Sequence, residues 1–159
     1  VVDAMYEDIA RASLTSTRWR FATTQAVLTK LSAAPTSRYD SSYQMPSNLL
    51  MLSAVTVNDY PVLYDTYGDK VYCNMTSNDV VVADYIVRAD EADWPSYFTL
   101  AVEFQVASML SVSIARDASL ASLMDQQAER QMIKARRLDS QQQTTRKLQT
   151  SRFIAQRRS

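Results

Sequence analysis

The sequence predicts an α+β fold: a helical bundle with an inserted small antiparallel β-sheet and an extended C-terminal arm. Three observations lead there. Apolar residues recur at spacings of three and four near both ends, they alternate with polar ones through the middle, and the last segment is rich in bases with almost no acid. Residues 1–140 read as one folded domain and 141–159 as a basic arm.

Val2, Met5, Tyr6, Ile9 and Ala12 lie on one helical face, so the chain opens with an amphipathic helix ending near Leu14. Residues 16–24 alternate, with Trp19, Phe21 and Thr23 on one side and Arg18, Arg20 and Ala22 on the other, which predicts a strand with one wet face. Residues 32–42, rich in Ser, Ala and Thr around Pro35, predict a loop. A short turn after Pro46 leads into a β segment from Leu50 to Val57. Pro61 opens another strand, and Gly68-Asp69 turns it into Lys70–Met75, where Val71, Cys73 and Met75 share a face. Val80–Ala89 is the clearest strand: Val81, Ala83, Tyr85 and Val87 line one side, Asp84 and Arg88 the other. Such closely spaced strands fit antiparallel pairing and leave no room for crossover helices.

Asp90, Glu91 and Asp93 then sit where a helix N-terminus favours negative charge, and Pro95 fits a first turn. The helix they introduce runs to about Ala115 and is apolar nearly all round, which predicts burial in a bundle or between subunits. Residues 97–115 also pass as a membrane-span candidate, but Glu103, Gln105, Ser108, Ser111 and Ser113 interrupt them and favour a buried helix. Asp117 or Ser119 caps a last helix, with Leu120, Leu123, Met124, Ala128, Met132, Ala135 and Leu138 inward and Gln126, Arg130, Lys134 and Arg137 outward. The greasy surface of these two helices exceeds what the rest of the chain fills, and it nominates Phe98, Val102, Met109, Leu120 and Met124 for subunit contacts.

Composition removes most chemistry. At 159 residues, 47% hydrophobic and 21% charged, the chain belongs with single globular domains. It has no His, the commonest general base and metal ligand. Gly68 is the only glycine, so a Gly-rich phosphate loop is excluded, and Cys73 alone supports neither an internal disulfide nor a Cys-based zinc site. Asp65 and Asp69 flank a turn that Asp favours, and no acidic group has calcium-loop spacing. The Ser and Thr residues have no evident activating base. No catalytic residue, metal ligand or cofactor is assigned, and an enzyme is not expected. The chain opens on Val-Val-Asp, without Met and already in helical spacing, which reads as a fragment, a processed form or the visible part of a longer chain; no signal-peptide pattern is present.

A net charge of zero conceals an asymmetry. Residues 1–133 hold nine Lys or Arg against sixteen Asp or Glu, and residues 134–159 hold eight against Asp139 alone. The arm has Arg146, Lys147, Arg152, Arg157 and Arg158 interleaved with Leu148, Phe153 and Ile154. Too few apolar residues are present for it to pack on itself, and those three suit an acidic protein groove better than bare phosphate. Trp19, Trp94 and the nine tyrosines read as core and interface aromatics, since the body around them is acidic.

Several stretches together resemble the tail tubular protein A, or head-to-tail adaptor, family of tailed bacteriophages. They are Arg-Trp-Arg-Phe-Ala at 18–22, Tyr-Gln-Met-Pro-Ser-Asn-Leu-Leu at 43–50, Tyr-Ile-Val-Arg at 85–88, Trp-Pro-Ser-Tyr-Phe at 94–98 and the Ala-Arg-Arg end of the last helix. The resemblance spans residues 1–140, an adaptor domain of helix, β-sheet insertion and two long helices. Members of the family usually carry a further N-terminal helix and loop. The resemblance implies a non-enzymatic virion protein of the head–tail interface, assembled as a dodecameric ring beneath the portal protein. A nozzle or tail-tube protein lies below, with tail fibres as a further candidate partner, and genomic DNA passes through the lumen without sequence-specific binding. No membrane is involved. On this view the arm orders on the portal, a neighbouring copy, or both, and acids lining the lumen let DNA slide. Two alternatives stand beside it: a nucleic-acid-binding protein using the basic tail, and a stopper or tail-completion ring protein of a long-tailed phage.

Overall fold

The computed structural model describes residues 2–33, 35–36, 38–75 and 79–142. Among them are three α-helices, α1 (Val2–Thr15), α2 (Ser96–Leu110) and α3 (Ala118–Gln141). Between α1 and α2 lie eight strands: β1 (Thr23–Val27), β2 (Thr29–Lys30), β3 (Ser41–Gln44), β4 (Leu49–Val57), β5 (Tyr60–Pro61), β6 (Tyr64–Tyr67), β7 (Lys70–Cys73) and β8 (Val81–Val87). The fold is α+β, with the β region inserted into the helical one.

The insertion is larger than the single small sheet expected. It forms two four-stranded antiparallel sheets, in the orders β1-β8-β4-β5 and β2-β3-β7-β6. Strand β8 is central to the first sheet, pairing Ala26 with Ala83 on one side and Val55 with Ala83 on the other. Alternation gives it two jobs. Val81, Ala83 and Tyr85 face a core shared with Leu28, Tyr43, Val55, Val71 and Cys73, whereas Ile86 enters the helical core. The β4–β8 register shifts between Leu49 and Met51 and again between Leu52 and Ala54, the irregularity of a β-bulge.

Two tight hairpins set the register. Asn58 and Asp59 both take positive φ (50° and 66°) between the paired Val57 and Tyr60, the arrangement a two-residue type I′ turn requires. Gly68, at φ 61°, opens the turn from β6 to β7, as expected.

The helical core gathers Ile9, Leu14, Trp19, Phe98, Val102 and Met132. Trp19 is fully buried, its ring 5.0 Å from that of Phe98, and its Nε1 donates to the Ser13 carbonyl at 2.8 Å. This corrects the strand expected over 16–24. Trp19 and Phe21 do share a side, packed with Phe98, but the backbone turns through Ala22, whose carbonyl accepts from Val87 N–H, and the strand begins at Thr23. A local bond from Trp19 N–H to the Thr17 carbonyl replaces a ladder partner. The loop expected over 32–42 gives way at Ser41, where β3 begins, because Ser41–Gln44 finds a full ladder with β7.

Helix α2 starts one element later than expected. Glu91–Asp93 form a separate 3₁₀ turn, and Pro95 holds extended dihedrals (φ −63°, ψ 146°) before the helix proper. At its other end α2 widens into a π-helical turn, Ser111–Ala115, where Ser111 and Ser113 hydroxyls donate to the carbonyls four residues back. Arg116 takes a left-handed conformation (φ 50°), and Asp117 caps α3 by accepting from Ser119 and Leu120 N–H. The inward face of α3 is Ala121, Ala128, Met132, Ala135 and Asp139; Leu120, Leu123 and Leu138, expected inward, are exposed. Small side chains let α3 lie close along α2, and that narrow seam leaves the leucines outside.

Candidate interaction surfaces

Five charged and aromatic groups join α1 to the strand-to-helix junction. Arg88, leaving β8, bonds both carboxylate oxygens of Glu7 on α1, at 3.0 Å to Oε2, and also pairs with Glu91. Its guanidinium lies 5.3 Å from the centre of the Trp94 ring, and Tyr6 OH donates to Glu91 at 3.2 Å. Hydrogen bonds from Arg88 and then Arg11 hold the Glu7 carboxyl down at about 2, and Arg88 likewise lowers Glu91. The expected cluster of Asp90, Glu91 and Asp93 is thus partly an ion-pair station, with Glu91 as its working member.

A second junction involves a buried acid. Asp139, 4% exposed, accepts the Arg20 main-chain N–H at 3.0 Å and the Tyr97 hydroxyl at 2.9 Å. It thereby ties the end of α3 to the loop after α1 and to the first turn of α2. Burial, and then the bond to Asp139, push the Tyr97 phenol up to about 12. Sequence reasoning treated Asp139 only as the lone acid of a basic segment. Its spacing from Ala128, Met132 and Ala135, on the inward face of α3, was the signal that placed it inside.

Beside this junction a polar groove of about 1170 Å³ runs along the exposed face of the first sheet. Arg18, Arg20, Arg136 and Asp84 are among its lining residues, and Asp84 Oδ2 meets Arg18 at 3.2 Å. Cys73 is fully buried, and burial pushes its thiol up, so it stays protonated. Among the described residues no group of three Cys, Asp or Glu is placed to hold a metal ion.

The helical hairpin tip is apolar and open. Met109 is 49% exposed, Val112 61%, Ile114 71% and Leu123 50%, around the π-helical turn. Of the residues nominated for subunit contacts, Met109 and Leu120 lie on this surface and Met124 is half-buried beside it. Phe98 and Val102 do not. Both are buried in the chain's own core, because their face of α2 packs on α1 and the Trp19 loop, so neither is free to meet a neighbouring subunit. The expected burial of α2 is likewise confined to a few positions: by length and composition Ser96–Ile114 could cross a membrane, and 22% of it is buried. A separate exposed apolar group, Tyr60, Leu63 and Tyr67, lies in the β5–β6 region of the insertion.

Between α1 and α2 is an apolar groove of about 470 Å³, with Tyr6 and Trp94 at one end and Val106 and Leu110 along it. The arm residues Arg146, Lys147, Leu148, Arg152, Phe153, Ile154, Arg157 and Arg158 lie outside the described residues. No protein-family model matches the chain, and no curated protein matches it.

Proposed function

We propose that the chain is a structural virion protein: a subunit of an adaptor ring that joins the portal to the tail tube or nozzle and forms part of the DNA-ejection channel. The observation that carries this reading is the exposed apolar hairpin tip from Met109 to Leu123, with a different apolar group at Tyr60 and Leu63. Isolated surface hydrophobes are ordinary, but contiguous greasy patches mark interaction sites. A closed ring needs two unlike faces, since each copy meets the next head to tail. Two apolar groups on separate elements meet that need, and the family resemblance of residues 18–22, 43–50 and 94–98 supports the same reading.

The absence of His and the protonated, buried thiol agree with a protein that performs no catalysis. A dodecamer would present twelve basic arms, and that multiplicity compensates for the ordering entropy of each. Negative-stain images of the full chain mixed with portal protein test the proposal. Rings with an open centre, stacked on portal, are expected; a chain that remains single beside intact portals rules the proposal out.

A further inference from the structure

We infer that the α1–α2 groove receives the C-terminal segment, residues 143–159, of a neighbouring copy. The inference rests on the ring reading and assigns the arm a seat within it.

Charge is the first argument. The elements flanking the groove (α1, the 88–93 junction and α2) hold seven acids, among them Glu91 and Glu103, against only Arg11 and Arg88. Residues 143–159 hold five bases and no acid. Opposite charges at this density attract the segment and fix its orientation.

Length is the second. From Thr99 to Leu110 the groove follows α2 for about 17 Å at the helical rise per residue. An extended chain covers at most roughly 17 Å between Leu148 and Phe153. Leu148 at one end and Phe153 with Ile154 at the other therefore match an apolar floor of Val106 and Leu110, with Glu103 on the rim to attract the intervening Arg152.

The third argument selects the neighbour as donor. Tyr97 and Ser108 of α2 bond to α3, at Asp139 and the Ala121 carbonyl, and Gln142 at the end of α3 donates to the Tyr97 hydroxyl. Thr99, Val106 and Leu110 are about half a turn round α2 from that seam at 100° per residue. Gln142, the residue before the arm, thus lies on the far side of α2 from the groove of its own chain. An arm from one copy in the groove of the next is also the unlike-faces contact that a ring repeats.

The test uses the full chain with p-benzoylphenylalanine replacing Phe153. Copies labelled with ¹⁴N and ¹⁵N are mixed as dissociated subunits, assembled and irradiated. Crosslinks from position 153 to Tyr6 or residues 99–110, in mixed-isotope pairs, are expected. Glu103→Lys should lower their yield roughly fivefold, the scale of reversing an exposed ion pair. Crosslinks confined to same-isotope pairs, or to other segments, overturn the inference. Native mass of the same sample separates the two levels: rings without these crosslinks sink the arm's seat alone, whereas absence of rings sinks the ring reading itself.

Discussion

Asp139 fastens the end of α3 because its buried carboxylate accepts from both the Arg20 main chain and the Tyr97 hydroxyl. Replacing it leaves two donors without their charged acceptor, so Asp139→Ala should lower the unfolding free energy by about 2–3 kcal/mol in urea titration. Tyr97→Phe removes one of the two bonds and should cost about half as much; a neutral Asp139→Ala would contradict the clasp. The same residues give the fold its pH limits. Glu7 has a folded value near 2 against an ordinary 4.5, so its contribution to stability is complete above about pH 4.5 and is lost as pH falls toward 2. Tyr97 is shifted the other way, to about 12 from 10, so its contribution is complete below pH 10 and is lost as pH rises through 12. Thermal midpoints across both ranges should show the acid loss flattened by Glu7→Gln and the alkaline loss reduced by Tyr97→Phe.

At the scale of elements, α2 has one face in the core and another open to solution. Met109→Glu should leave the circular dichroism spectrum and thermal midpoint unchanged, since the side chain is half exposed, while reducing the assembled fraction in sedimentation. Assembly unaffected by that charge would show that the hairpin tip is not an interface. The contrast with Phe98 explains what the sequence could and could not reveal. An apolar helix announces that it will be covered, but Phe98, Val102 and Met109 are equivalent in composition, and only the positions of α1 and the Trp19 loop decide which is covered by the chain itself. The strands β4, β7 and β8 were legible because alternation and the Gly68-Asp69 turn act locally. Asn58-Asp59 carried an equally local hairpin signal that went unread. Trp19 misled because its alternation with Phe21 is satisfied by a turn as well as by a strand. The split into two sheets depends on long-range pairing of β3 with β7, which no local pattern encodes.

For the whole molecule, the division of charge separates a folded, acidic body from a basic terminus. Deleting residues 144–159 should leave the unfolding transition of the body intact and, by removing the contact between neighbouring copies, lower the ring fraction and with it the amount of subunit that co-sediments with portal at physiological salt. An unchanged ring fraction would remove the arm from the account. The rival use of that terminus, on nucleic acid, makes a different demand: binding of free duplex DNA that falls steeply with added salt. The most direct test of the central claim is the native mass of the intact chain with portal protein present. The account predicts one discrete species holding a dodecamer of the 18.0 kDa subunit bound to portal. A mass spectrum showing only free subunits and free portal would contradict it.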